Sequence, residues 1–137
     1  MNYWLFKSEP STFSFEMLKQ KGKAGAEWDG VRNFTARNNM RAMKKGDRGF
    51  FYHSGEEKAV VGIVGVVKEA HPDSTDSEGN WDCVDIAALE PLPRPVSLAA
   101  VKADKALAGM ALVKLSRLSV QPVTEAEWKR VCKMGGL

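Results

Sequence analysis

The chain has 137 residues, 44% of them hydrophobic and 27% charged, which reads as one globular domain over residues 1–137 with a core of its own. The net charge of +3 permits contact with nucleic acid without requiring it. Cys83 and Cys132 stand far apart and form no metal-ligand spacing with His53 or His71, and the apolar run Tyr3 to Phe6 is too short for a leader or a span. These features predict no metal, no cofactor, no membrane association, buried free thiols and a cytoplasmic protein.

Tyr3 to Lys7 reads as a buried first strand, ended by Ser8-Glu9-Pro10. Ser14 is placed to cap a short helix over 15–21, with Glu16 in its first turn. Gly22 and Gly25 bracket a loop that leads to Trp28. Asn33 is placed to cap a helix over 34–43. Phe34, Ala36, Met40 and Met43 form its expected inner stripe, while Arg37, Arg41, Lys44 and Lys45 make it basic. Arg48 to Ser54 is an aromatic strand. Ala59 to Glu69 is a second strand, whose unbroken apolar run predicts burial on both faces. Gly62 and Gly65 inside it predict a bulge or strong bend. The polar loop over 72–80 carries acids with no calcium-loop spacing and reads as solvated.

A strand over 81–89 comes next, and Pro91, Pro93 and Pro95 read as a stiff connector. Ser97 is placed to cap a helix through Ala103, 106–116 is ambiguous, and 118–123 reads as the last strand. Thr124 to Glu127 is a capping box opening a final helix, with Gly135 just past its end. Trp81 and Trp128 both fit core positions. Short links between the middle strands exclude a doubly wound parallel sheet. A curved α+β fold or small barrel with flanking helices fits this order.

The richest chemistry lies between Trp28 and Arg37. Trp28 offers a π face, Asn33 an amide and Arg37 a cationic plane, groups suited to a planar polar ring beside an anion. Asn33 serves equally as a helix cap. No activated nucleophile, acid pair, zinc-deaminase pattern or phosphate loop is present in the sequence. His53 reads as a hydrogen-bonding group at a pocket mouth, with general acid–base work as the alternative. Lys7 and Ser8 end the first strand and are placed at the same rim; Arg117 and Ser119 by themselves read as surface residues.

Six segments occur in order: Tyr3-Trp-Leu-Phe-Lys-Ser-Glu-Pro10, Trp28-Asp-Gly-Val-Arg-Asn33, Ala36-Arg-Asn38, Phe50-Phe-Tyr-His-Ser54, Val67-Lys-Glu-Ala70 and Leu118-Ser-Val-Gln-Pro122. Together they closely resemble the EVE domain family, from Tyr3 to about Val131. The resemblance implies a PUA-like fold, a bent mixed β-barrel with flanking helices, and kinship with YTH domains. It also implies a reader of modified bases in nucleic acid, with modified cytosine in DNA as the leading ligand. Carried over by position, Trp28 becomes a pocket wall. Lys7, Ser8, Asn33, Arg37, Tyr52, His53 and Ser54 become its polar rim, with Arg117 and Ser119 near the opening. The loop over 72–80 has no aromatic before Trp81, so it supplies no further cage wall.

The expected function is therefore a non-catalytic module that binds DNA or RNA carrying modified bases, one base being flipped into a pocket beside Trp28. Two alternatives are an enzyme acting on a nucleobase or nucleotide through His53, and a sensor of a free nucleoside or other small molecule.

Overall fold

The computed structural model describes residues 1–137. Its strands are β1 (Tyr3–Ser8), β2 (Ala26–Glu27), β3 (Arg48–His53), β4 (Ala59–Pro72), β5 (Asp82–Ser97) and β6 (Val120–Val123). They form one sheet in the order β2-β5-β4-β3-β1-β6. β3, β4 and β5 pair antiparallel in succession, whereas β1 lies parallel to β3 and antiparallel to β6. The parallel pair needs a crossover, supplied by α1 (Phe15–Gln20), β2 and α2 (Phe34–Ala42). The helices α3 (Leu98–Ala103), α4 (Ala111–Lys114) and α5 (Glu125–Met134) follow the long strands. Register shifts along β4 and β5 bend the sheet. This is the mixed α+β, PUA-like architecture.

The sheet separates two cores, which explains the continuous apolar runs. Along β1 and β3, Trp4, Phe6 and Phe51 enter one core while Leu5, Phe50 and Tyr52 enter the other. The first core is closed by Phe15 and Leu18 of α1 and by Ala36 and Met40 of α2. The second is closed by Val101, Leu107, Leu112, Trp128 and Val131. The local signals act as expected. Ser14, Asn33, Ser97 and Thr124 each accept a backbone N–H at a helix start. Gly62 sits where β4 shifts register, and a Cβ there would collide with the Phe15 ring.

Four expectations are corrected. Pro91, Pro93 and Pro95 lie inside β5 rather than in a connector. β2 pairs β5 only at Asp85 and Ile86, so no strand pairs that edge along the prolines, where only the Arg94 N–H, donating to Gly135 O at 3.0 Å, is engaged from the far C-terminal turn; all three prolines are exposed. Phe34 is 64% exposed because it stands about 200° around the helix from Ala36, off the buried stripe. Trp81 is only half-buried, just ahead of β5, and stacks on Phe34 instead of entering a core. Asp73 and Asp76 of the polar loop are structural rather than solvated, as described below. Of the two free thiols, Cys83 is buried and Cys132 only partly so.

Candidate nucleic-acid interface

A cavity of about 730 Å³ opens over the C-terminal end of β1. Lys7, Ser8 and Ser119 form one side, and Glu9, Thr12 and Phe13 come from the turn that follows β1. The opposite side is Ala26 to Arg32, which includes Trp28, and Lys21 closes the rim. Its size suits a nucleoside-scale ligand.

Trp28 is held rather than free. It is 8% exposed and meets Phe6, Phe51 and Phe13 edge-to-face at 5.4, 5.6 and 6.2 Å. Its backbone N–H donates to Val84 O at 2.8 Å. The tryptophan is thus a core residue that shows a small part of itself to the cavity. Phe13, half-buried, is the second aromatic of that wall.

The loop after Trp28 is fastened to Asp73, 43 residues away in the chain. Asp73 is 2% exposed and accepts from Gly30 N–H at 2.9 Å, Arg32 Nη1 at 3.2 Å and the Thr75 N–H at 2.8 Å. Burial alone would raise its pKa, but the hydrogen bonds from Thr75, Gly30 and Arg32 outweigh this and hold it at about 2. Asp76 closes the same loop by accepting from Glu78 and Trp81 N–H groups, and Asp82 pairs with Arg41 at 2.7 Å.

Electrostatically the cavity is balanced. Lys7, Lys21 and Arg32 face Glu9, Glu27 and Asp29. Lys7 donates from Nζ to Ser116 O at 2.6 Å, and its partial burial lowers its pKa. Asp29 moves the other way: burial first, then the neighbouring Asp73 and Glu27 carboxylates, raise its pKa. The cavity therefore presents a carboxyl that accepts strongly when ionised, beside cations at the edge.

Glu27, His71 and Cys83 bring one ligand atom each within 4.8 Å of one another. Burial, with the Glu27, Asp73 and Asp85 carboxylates, drives the Cys83 thiol far toward its protonated form. That thiol donates to Glu27 at 3.4 Å, and His71 is bound on both ring nitrogens by Pro72 O and Asp85. These hydrogen bonds engage each of the three side chains.

Among the residues singled out from the sequence, Lys7, Ser8, Trp28 and Ser119 line this cavity together. Asn33 and Arg117 line a neighbouring concavity of about 450 Å³ with Ser116 and Leu118. Asn33 spends its side-chain oxygen on the helix, accepting from Ala36 N–H at 2.9 Å. Arg37 lies outside both, donating to Asn80 O at 3.2 Å. Tyr52 is 3% exposed and belongs to the second core. His53 Nε2 accepts from Phe15 N–H at 3.0 Å and Nδ1 contacts Glu57 Oε1 at 2.8 Å, so the ring anchors the start of α1. Ser54 donates its N–H to Ser8 O at 2.9 Å and ties β3 to β1. Sequence reasoning missed Phe13, Asp29 and Arg32 as lining residues. Asp29 and Arg32 lay inside the quoted segment, whereas nothing local distinguished Phe13 from an ordinary residue before a helix cap.

No helix is long and apolar enough to cross a membrane. The EVE domain family model matches residues 2–134. Thymocyte nuclear protein 1 of Mus musculus is 40% identical over 159 residues, covering 93% of this chain and 70% of the relative. A crystal structure of a protein from Agrobacterium tumefaciens superposes with a TM-score of 0.97 at 62% identity, covering 100% of this chain and 94% of that one. The crystal structure of human THYN1 protein in complex with DNA containing 5-methylcytosine superposes with a TM-score of 0.92 at 34% identity, covering 100% and 99%. A YTH domain of Zygosaccharomyces rouxii shares the fold at 16% identity and a TM-score of 0.62, covering 99% of this chain and 87% of that one. With the family model matched over residues 2–134 and a relative 40% identical over 93% of its length, this chain belongs to the EVE domain family.

Proposed function

We propose that the 137 residues act as one module, a non-catalytic reader that binds nucleic acid and takes a modified base, a modified cytosine in DNA, into the cavity beside Trp28. The observation that carries the reading is the cavity's lining. Trp28 and Phe13 give an aromatic wall, Asp29 gives an acceptor, and Lys7, Lys21 and Arg32 stand at the edge. Cytosine presents an amino donor at N4, which a carboxylate accepts. Its 5-methyl group would need only an apolar recess, worth about 1–3 kcal/mol of discrimination. The DNA complex of the human relative supports the same ligand class. His53, with both ring nitrogens engaged away from the cavity, supports a binding role over acid–base chemistry.

The test is titration of duplexes that differ only in one 5-methylcytosine, at two salt concentrations, with the wild type, Asp29→Asn and Trp28→Phe. The wild type binds the methylated duplex more tightly, and both variants lose that preference while keeping their fold. Equal preference in all three proteins would sink the cavity assignment. Turnover of the base by the wild type would replace the reader with an enzyme.

A further inference from the structure

Outside the cavity, two aromatic rings and two guanidinium groups gather where no core exists. Phe34 is 64% exposed and stacks on Trp81 with centroids 5.0 Å apart and planes 23° apart. The Arg37 guanidinium lies 4.8 Å from the Phe34 centroid and 5.4 Å from that of Trp81. Arg32 lies 5.5 Å from the Trp81 centroid. The pair is held in place rather than loosely exposed. Trp81 N–H donates to Asp76, Asn33 caps the helix at Phe34, and Arg37 donates to Asn80 O.

Folding does not call for this arrangement, because the inner stripe of α2 is complete without Phe34. Arg32 joins it to the cavity: the same residue lines the cavity wall and stands over Trp81. Aromatic faces beside guanidinium groups are the chemistry that takes a nucleobase and its phosphate.

We infer that Phe34, braced by Trp81, is a stacking platform for the base next to the one held in the cavity, with Arg32 and Arg37 receiving the intervening phosphate. This rests on the reading of the cavity as a base pocket. A flipped base leaves its neighbour without a stacking partner on one side. The platform supplies a replacement face that tolerates any base, since every base has a π face.

The experiment uses a duplex with one 5-methylcytosine and 2-aminopurine as its neighbour, read by anisotropy and by aminopurine fluorescence. Phe34→Ala is compared with the wild type, Phe34→Trp and the cavity variant Asp29→Asn, circular dichroism and sedimentation being recorded for each. Wild type and Phe34→Trp quench the aminopurine. Phe34→Ala loses the quenching and binds roughly 10- to 100-fold more weakly, yet keeps its preference for the methylated duplex. Asp29→Asn, which loosens the hold on the flipped base, loses that preference and the quenching together, so loss of quenching with the preference kept is the mark of the platform alone. Wild-type affinity and quenching in Phe34→Ala would overturn the platform and leave the cavity reading standing. A Phe34-dependent dimer with unchanged DNA binding would overturn it also. Failure of the wild type to bind any duplex would remove the cavity reading and the platform together.

Discussion

Replacing Asp73 with asparagine tests whether the wall of the cavity is built from a distance. In the wild type one Asp73 oxygen accepts from Gly30 and Arg32, and the other from the Thr75 N–H and hydroxyl. All four partners are donors. An asparagine keeps one acceptor and turns an NH2 toward the other pair, so either the Gly30 or the Thr75 N–H loses its partner, along with the charge that Arg32 faces. The depressed pKa, about 2 against an ordinary 3.8, corresponds to roughly 2 kcal/mol of stability from the ionised form. Asp73→Asn should therefore lower unfolding free energy by roughly 2–3 kcal/mol in urea at neutral pH. The sign with pH follows from the lowered pKa. The Asp73 contribution is full above about pH 4 and is lost as pH falls through about 2, so the gap between wild type and variant narrows in that window. Hydrogen exchange at Gly30 should accelerate in the variant. A variant within 0.5 kcal/mol of wild type, a difference on the order of ordinary surface substitutions, with unchanged Gly30 exchange, would refute the reasoning.

Two further outcomes are expected. His53→Ala should cost roughly 1–2 kcal/mol by leaving Phe15 N–H without its acceptor, while DNA affinity measured by anisotropy stays at the wild-type value. A tenfold loss of affinity in a folded His53→Ala protein would return this residue to the binding site. Preference for the methylated duplex should also fall on acidification, and at a higher pH than an ordinary aspartate implies, because burial raises the Asp29 pKa and the carboxylate is the form that accepts from N4. In Asp29→Asn that pH dependence should vanish; a wild-type profile in the variant would assign the titration to another group.

What the sequence revealed and what it hid divide along locality. Ser14, Asn33 and Thr124 are legible as caps because the cap and its target lie three residues apart. The apolar run of β4 is legible as doubly covered because burial on both faces needs no partner to be named. The prolines of β5 are not, since their tolerance depends on β2 beginning only at Ala26, far away in the chain, so that no strand pairs that edge beyond Ile86. Asp73 looked like a solvated acid for the same reason. The site shows the same division. Lys7 and Ser8 fall at the end of the strand beside Trp28's loop, so the segment pattern brings them to the cavity. Tyr52 and His53 stand in register with that strand and Ser54 bonds to its end, but Tyr52 faces the second core and His53 is drawn to α1. A pattern gives the strand; the register and the packing decide which way each side chain points.

The balance of charge in the cavity separates affinity from selectivity. A site built to hold phosphate would show an excess of cations, as the salt dependence of backbone binding requires. Here three cations stand against three acids, so phosphate attraction inside largely cancels and the polar edge of a base is what remains to be read. Arg37, over Phe34 and Trp81, lies outside the cavity, where the platform reading puts a phosphate. Loss of an outer arginine should then weaken all duplexes alike and flatten the salt dependence. Loss of an inner acid should change the ratio between methylated and unmethylated duplexes instead. Asp73 holds the wall that carries Asp29, so on the proposed reading selectivity would rest on a residue that does not line the cavity.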